Sequence, residues 1–175
     1  MVRIIGIDPG SRKTGFGIID VHGSRCRYVT SGVIRLTDKQ FPLRLKVIYE
    51  SIVLLIGQHQ PVAMAIEEVF FAKDPRAALK LGQARGAAMV AGVSCDLDVS
   101  EYSARAVKKS VVGTGAATKA QVQYMVQRLL LLTSAPAEDA ADALAVALCH
   151  SQVLATAGHF AASVRYSRRR IKAVP

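Results

Sequence analysis

The sequence predicts an α/β fold in which a mixed central sheet carries helices on both faces. Three apolar, β-branched segments separated by short turns, at 2–8, 15–21 and 25–36, indicate an antiparallel meander of strands. The chain then alternates helical periodicity with short apolar segments, which is the order that packs helices onto a sheet. Because 51% of the 175 residues are hydrophobic, they can fill the core of one such domain.

Turn residues and helical spacing set the bounds of the first elements. Pro9-Gly10 ends the first strand directly after Asp8, and His22-Gly23-Ser24 joins the second strand to the third. Apolar side chains then recur at helical spacing over 43–58, which predicts a helix there. A short buried strand is expected to follow over 62–69.

The second half of the chain is predicted to be mainly helical. The expected helices cover 75–93, 104–112, 119–132 and 136–155. A further strand is expected over 97–102, between the first two of these helices. The segment 158–175 is basic and is expected to form a mobile tail, which leaves 1–157 as the folded domain.

The formal net charge of +10 predicts a polyanionic partner, because lysine and arginine displace counterions from phosphates. The basic tail supplies part of this charge, but the rest of the chain is basic as well. The alternative interpretation is a solvated basic surface. The chain shows no apolar stretch long enough to span a bilayer, and its N-terminal apolar run has no signal-peptide cleavage site.

The cysteine pattern predicts a cytoplasmic protein. Cys26, Cys95 and Cys149 lie far apart, form no CxxC pair and are odd in number, so reduced, buried thiols are expected. The four histidines show none of the spacings that are typical of zinc ligands, so a zinc site is not expected.

Four carboxylates stand where acids are costly unless they bind a cation. Asp8 and Glu67 end predicted strands, and Asp139 and Asp142 share one face of the last helix through their i,i+3 spacing. Hard oxygen ligands of this kind suit Mg²⁺ or Mn²⁺ and predict metal-dependent phosphodiester hydrolysis. Each acid also has an ordinary structural explanation. Asp8 before Pro9-Gly10 can be a turn former, and Asp139 lies in the first turn of its helix, where the helix dipole stabilises any acid. The neighbouring Glu138 is interpreted as a capping charge.

Basic residues on two predicted helices are candidate phosphate contacts. They are Lys73, Arg76, Lys80, Arg105, Lys108 and Lys109. The alternative for these residues is again a solvated face. Gly82 and Gly86 form a GxxxG spacing, which predicts close helix packing, either against the sheet or across a two-fold dimer.

Several motifs in order along the chain resemble those of the RuvC family of Holliday-junction resolvases. The opening Ile7-Asp8-Pro9-Gly10-Ser11 is similar to the start of that family, and Ala65-Ile66-Glu67 is similar to its second motif. The long-helix stretch 78–86 and the run 139–145 complete the match. The resemblance covers about Arg3 to Cys149.

The resemblance implies a ribonuclease-H-like fold for 1–157 and a homodimer that cuts four-way junctions. It implies paired symmetric nicks with 5′-phosphate and 3′-hydroxyl ends, in homologous recombination and DNA repair. It also implies two Mg²⁺ ions per subunit, with Mn²⁺ as a substitute, and the RuvA–RuvB branch-migration complex as a partner.

The resemblance also assigns roles to residues. The positions of the family's catalytic, metal-binding acids fall on Asp8, Glu67, Asp139 and Asp142. Lys119 matches a catalytic lysine, and Lys108 matches another basic residue near the DNA. Phe70 matches an aromatic that stacks on an opened base, and core packing is the alternative for that side chain.

One departure from the family pattern concerns the second motif. Glu68 stands where the family usually has glutamine, and Asp142 stands where some members have histidine. Adjacent strand residues point to opposite faces, so only one of Glu67 and Glu68 should reach the metals. The motif favours Glu67.

Two other functions remain as alternatives. A sugar-kinase or actin-like ATPase also opens with a strand, an aspartate and a hairpin, but it needs two such domains to enclose its nucleotide. A DNA-binding module without catalysis is the second alternative. The carboxylates argue against it, because acids without a catalytic role would repel phosphates.

Overall fold

Five strands form one mixed sheet in the computed structural model, which describes residues 1–68 and 74–170, with only the backbone for 157–170. The strands are β1 (Val2–Asp8), β2 (Lys13–His22), β3 (Arg25–Arg35), β4 (Ala63–Glu67) and β5 (Asp98–Tyr102). Their order across the sheet is β3-β2-β1-β4-β5. β1, β2 and β3 run antiparallel to one another, which confirms the predicted meander, whereas β4 and β5 continue the sheet in parallel.

Five helices are present in the described part of the chain. They are α1 (Phe41–His59), α2 (Pro75–Val93), α3 (Ala104–Val112), α4 (Lys119–Leu129) and α5 (Glu138–Arg170). The bounds predicted for α2 and α3 are confirmed. Asp74 accepts a hydrogen bond from the Arg76 N–H at the start of α2, and Ser103 accepts one from the Ala106 N–H at the start of α3.

Three predicted elements differ from the structure by two residues or more at their C-terminal ends, and the last helix begins at Glu138 and not at 136. The last helix was expected to end at Ala155 but continues to Arg170, because 156–170 contains no proline and only one glycine. α4 ends at Leu129 and not at 132, since Leu131 adopts a left-handed conformation with φ of 53°. β4 is shorter than the expected strand 62–69, whose last residue lies outside the described residues. The division into a domain and a mobile tail stays a prediction.

Two apolar cores cover the two faces of the sheet. Side chains alternate along β1, so Ile4 packs with α3, α4 and α5, whereas Ile5 and Ile7 pack with α1 and α2. All three isoleucines are fully buried, and burial of such a side chain contributes about 1.5–3 kcal/mol. This arrangement confirms the predicted mixed sheet with helices on both faces.

Glycines in β1 and β2 let α5 lie directly on the sheet. A Cβ atom on Gly6 would collide with the main chain at Ala143, and one on Gly15 would collide with the carbonyl oxygen of Asp139. A Cβ atom on Gly17 would likewise collide with the side chain of Leu144. Because these glycines have no side chains, α5 can pack closely against the sheet near the end of β1.

An ion-pair cluster stabilises the end of the sheet opposite to Asp8. The carboxylate of Asp20 has no solvent exposure and lies 2.7 Å from Arg3 Nε and 2.9 Å from Arg27 Nη2. These hydrogen bonds lower the pKa of Asp20 to about 2. Arg3 also donates a hydrogen bond of 2.7 Å to the carbonyl of His59, which ties α1 to β1.

Two further expectations concern membranes and thiols. Among the described residues, no helix combines the length and the apolar character needed to cross a bilayer. Cys26, Cys95 and Cys149 are free thiols, as the sequence predicted, but only Cys149 is buried, since Cys26 and Cys95 lie partly exposed at the edges of the two cores.

Candidate active site

Asp8 and Glu67 are brought together by the register of two neighbouring parallel strands. Each is the last residue of its strand, and Ile7 pairs with Ile66 one position earlier. Gly6 and Ala65, two residues before each acid, face α5. Because strand side chains alternate with a period of two, Asp8 and Glu67 point to that same face.

The third acid reaches the same place from α5. Asp142 lies in the second turn of that helix, above the strand ends. These three acids line one pocket of about 200 Å³. The full lining is Asp8, Glu67, Ala104, Val107, Lys108, Lys119, Val122 and Asp142. The structure therefore gathers acids that are 134 positions apart in the sequence, between Asp8 and Asp142.

Asp139, the fourth predicted acid, lies beside this pocket and not in its lining. It is one turn before Asp142, is partly exposed, and its Oδ2 lies 3.8 Å from Lys13 Nζ. Its charge still acts on the site, because it contributes to the raised pKa of Asp8. Sequence reasoning missed Lys13, although its place at the start of β2, just after the turn that follows Asp8, puts it at the same edge of the sheet.

The acids of the pocket hold their protons unusually well. Burial, followed by the charges of Glu67, Asp142 and Asp139, raises the pKa of Asp8 to about 8. Burial and the charge of Asp142 raise the pKa of Glu67 to about 7. Burial also raises the pKa of Asp142, against the opposing effect of Lys119. Near neutral pH these carboxylates therefore favour the arrival of a positive charge.

Lys119 supplies one positive charge at the wall of the pocket. It is the first residue of α4, where Thr118 and Gln121 form a capping box that fixes the start of the helix. Its Nζ lies 3.4 Å from Asp142 Oδ2 and 2.6 Å from Glu138 Oε1. These acids raise the pKa of Lys119. Glu138, which was interpreted only as a capping charge, is therefore also the partner of this lysine.

The donor set suits a hard divalent cation, because it consists of carboxylate oxygens crowded in a partly buried pocket. As the side chains stand, however, no three Asp, Glu, His or Cys residues among those described are arranged to hold one metal ion. Lys119 and Lys13 currently pair with Asp142 and Asp139. A divalent cation bound here would thus compete with these two lysines for Asp142 and Asp139.

Glu68 differs from its neighbour Glu67 in its surroundings. Glu68 is exposed and does not line the pocket, whereas Glu67 does. The main-chain N–H of Glu68 donates a hydrogen bond of 2.8 Å to the carbonyl oxygen of Tyr102, which continues the β4–β5 pairing. Of the two adjacent glutamates, Glu67 is therefore the one that faces the pocket.

The residues predicted to contact DNA fall into three groups. Lys108 lines the acidic pocket, and Arg105 and Lys109 are exposed on the same helix, α3. Arg76 and Lys80 are exposed near the start of α2. Phe70 and Lys73, the remaining two predicted DNA contacts, lie outside the described residues.

Comparison with known proteins finds relatives along nearly the whole chain. The family model described as crossover junction endodeoxyribonuclease RuvC matches residues 4–150. The protein of that name from Saccharophagus degradans is 55% identical over 172 residues, covering 98% of this chain and 99% of its own. Its counterpart from Teredinibacter turnerae is 57% identical over 175 residues, covering 97% and 99%.

Solved structures give the same result for the fold. Thermus thermophilus RuvC in complex with a Holliday junction substrate superposes with a TM-score of 0.84 at 31% identity, over 90% of this chain and 97% of that chain. The yeast mitochondrial Holliday junction resolvase Ydc2 superposes with a TM-score of 0.65 at 13% identity, over 91% and 83%. The second similarity concerns the fold alone. Together the two matches agree with the predicted ribonuclease-H-like fold.

Proposed function

Because this chain belongs to the RuvC family of crossover junction endodeoxyribonucleases, we propose that its acidic pocket is the centre that nicks four-way DNA junctions. The chain is a nuclease that resolves Holliday junctions in recombination and repair. One observation supports the location of its active site: Asp8, Glu67 and Asp142, from three separate elements, line a single pocket.

The proposed metal ligands are Asp8, Glu67 and Asp142, together with Asp139. Once bound, a pair of Mg²⁺ ions supplies an activated water and charge stabilisation for phosphodiester hydrolysis, and Mn²⁺ substitutes for Mg²⁺. The raised pKa values of Asp8 and Glu67 support this assignment, since they reflect carboxylates that are buried and that also lie close to other acids. The cut is proposed to leave 5′-phosphate and 3′-hydroxyl ends.

Lys119 and Lys108 are proposed to act on the phosphate itself. Both line the acidic pocket, so a phosphate that enters it passes within reach of two positive charges. Lys119, held at the start of α4, would stabilise the negative charge that develops on the phosphate oxygens. Lys108 would orient the DNA strand beside the scissile bond.

A homodimer is proposed to form through α2. The face of this helix away from the sheet carries the exposed apolar side chains Leu79, Val90 and Val93, whose exposed fractions are 69%, 57% and 62%. Gly82 and Gly86 lie on the same face, with open space where a Cβ would stand. A two-fold dimer across this face would place one acidic pocket on each of two strands, as paired symmetric nicks require.

The surface around the pocket is proposed to hold the junction arms. Arg76, Lys80, Arg105 and Lys109 are exposed and are proposed to contact phosphates, with Lys73 and a base-stacking Phe70 from the segment outside the described residues. The RuvA–RuvB complex is the proposed partner that delivers the junction. The cytoplasm is the proposed compartment.

A cleavage assay on matched substrates tests this function. The protein is incubated with a synthetic four-way junction or a linear duplex of the same sequence, with Mg²⁺ or with EDTA. We expect paired symmetric nicks only in the junction and only with Mg²⁺, and DNA ligase should reseal them. Asp8→Asn should bind the junction without cutting it. Equal cutting of the duplex, or cutting in EDTA, would contradict the proposal.

A further inference from the structure

A second pocket, strongly basic, lies near the start of α2. Its volume is about 620 Å³, and it is lined by Ser11, Arg12, Leu36, Arg44, Asp74, Arg76, Ala77 and Lys80. Four of these residues are cationic and one is acidic. We call Arg12, Arg44, Arg76 and Lys80 the basic cluster. Two of its members, Arg12 and Arg44, were not among the residues predicted to contact DNA.

Arg44 is held in place without losing its charge. Its Nε donates a hydrogen bond of 2.5 Å to the carbonyl oxygen of Asp38, and its Nη1 donates one of 3.2 Å to the carbonyl oxygen of Ser11. Neutral carbonyls orient a guanidinium but do not neutralise it. Arg44 therefore presents a preorganised positive charge to the pocket, which reduces the entropy cost of binding an anion.

Arg12 is fixed through its backbone. Its carbonyl oxygen accepts a hydrogen bond of 3.0 Å from the N–H of Leu36, which extends the pairing of β2 and β3 by one position. The turn that contains Arg12 is closed by Thr14, whose hydroxyl lies 3.4 Å from the Gly10 nitrogen and 3.3 Å from the Gly10 carbonyl oxygen. The position of Arg12 is thus set by the sheet, while its side chain remains exposed.

Among the residues that the structure describes, no carboxylate pairs with the basic cluster, so its net charge is positive. The carboxylate of Asp74 accepts a hydrogen bond of 3.0 Å from the main-chain N–H of Arg76 and so caps α2. Within residues 1–68 and 74–156, no member of the cluster lies within 4.0 Å of a carboxylate oxygen. Arginines match the geometry of phosphate oxygens, and their positive charge attracts the phosphate.

The pocket lies at the same edge of the sheet as the acidic pocket. Asp8 ends β1, and Ser11 and Arg12 follow it within four residues of chain. Four residues span at most about 14 Å even when fully extended, and the turn here is tighter than that. A DNA strand that places one phosphate at Asp8 can therefore place a phosphate a few nucleotides away at Arg12 and Arg44.

We propose that the basic cluster binds a single backbone phosphate of the junction, on the strand whose neighbouring phosphodiester enters the acidic pocket. Arg44 and Arg12 are the positioning residues that set this contact, and Arg76 and Lys80 add charge from α2. The inference rests on the proposed function and deepens it, because it names the part of the substrate that this surface holds.

A neutral-phosphate scan tests the proposal. Single phosphates near the crossover are replaced one at a time by uncharged methylphosphonates, and junction binding is measured in Ca²⁺ for the wild type, Arg44→Gln and Arg12→Gln. In the wild type, one position should weaken binding about tenfold. At that position the two variants should show no further loss, and each should lower the slope of log affinity against log salt by about one.

Arg25→Gln is the matched control. Arg25 is exposed and begins β3 at the end of the sheet remote from Asp8, so it should respond to the modified position as the wild type does. Melting temperatures check that Arg44→Gln folds. If Arg44→Gln does not fold, Arg12→Gln alone tests the proposal, because the Arg12 side chain makes no described hydrogen bond. A scan in which no position is coupled to either arginine would overturn the proposal. If the wild type still makes paired nicks in the unmodified junction, the proposed function holds even where this proposal fails.

Discussion

Lys119 Nζ lies 3.4 Å from the Oδ2 atom of Asp142, so an ammonium group closes the wall of a pocket that three acids line. The contact joins the first turn of α4 to the second turn of α5. It partly offsets the repulsion among the carboxylates, since Lys119 lowers the pKa of Asp8 and Glu67 against the larger effect of their burial. The same charge faces any phosphate that enters the pocket.

Replacement of Lys119 should impair cutting more than binding. In Lys119→Met, kcat for junction cleavage should fall about 10²–10³-fold, because one charge that stabilises the transition state is lost. Junction affinity should change little, since many other cations hold the DNA. Lys46→Met, on the exposed face of α1, is the control and should cut normally. Equal cleavage rates for the two variants would refute a catalytic role for Lys119.

The adjacent acids Glu67 and Glu68 should behave differently. Glu67→Gln removes a carboxylate from the acidic pocket and should abolish cutting, with junction binding retained. Glu68→Gln changes an exposed side chain outside the pocket and should leave the rate within about twofold of the wild type. Single-turnover cleavage of a labelled junction measures both. The reverse order of effects would show that Glu68, and not Glu67, serves the site.

Gly15 should be sensitive to the smallest substitution. A methyl group in Gly15→Ala would overlap the carbonyl oxygen of Asp139 and push the start of α5 away from the sheet. The melting temperature should fall, by an overpacking cost of about 1–3 kcal/mol, and cleavage should fall with it because Asp139 and Asp142 move. Gly57→Ala is the control, since open space surrounds that glycine and it lies in the helix α1. Normal activity in Gly15→Ala would contradict the proposed packing.

The acidic pocket should make the metal-free protein less stable as the pH rises. The ordinary pKa values of Asp8 and Glu67 are 3.8 and 4.5, and in the folded protein they rise to about 8 and about 7. Between these values the folded protein binds more protons than the unfolded chain, so the free energy of unfolding falls with increasing pH.

Asp8→Asn should relieve this loss of stability. In EDTA at pH 8 the variant should unfold about 3–6 °C above the wild type, a gain of about 1–2 kcal/mol, and the difference should shrink towards pH 5. Asp98→Asn, an exposed aspartate at the start of β5, should show no such gain. Thermal melts across pH 5–8 measure the effect. A variant that melts below the wild type at pH 8 would contradict the raised pKa of Asp8 that burial and the neighbouring acids produce.

The sequence predicted elements best where local signals agree. α2 and α3 have the expected bounds, because Asp74 and Ser103 cap their first turns. The end of α4 was missed, since no local rule places Leu131 in the left-handed region. α5 was predicted too short, because the basic composition that follows Ala155 does not by itself end a helix.

For the site, the sequence indicated which acids to consider but not how they meet. Convergence depends on the register that places Asp8 beside Glu67 and on the glycines that seat α5, both of which are tertiary features. The pairing of Lys13 with Asp139 and the preorganisation of Arg44 have no signal in the sequence, since each joins residues from separate elements.

The central claim is that acids from β1, β4 and α5 form one divalent-cation site. Crystals of the wild type soaked with Mn²⁺, at a concentration that supports junction cleavage, allow the metal to be located by its anomalous scattering. We expect a peak in the acidic pocket with oxygens of Asp8, Glu67 and Asp142 about 2.0–2.3 Å away. A pocket without Mn²⁺ under those conditions, or Mn²⁺ bound only elsewhere, would contradict the claim.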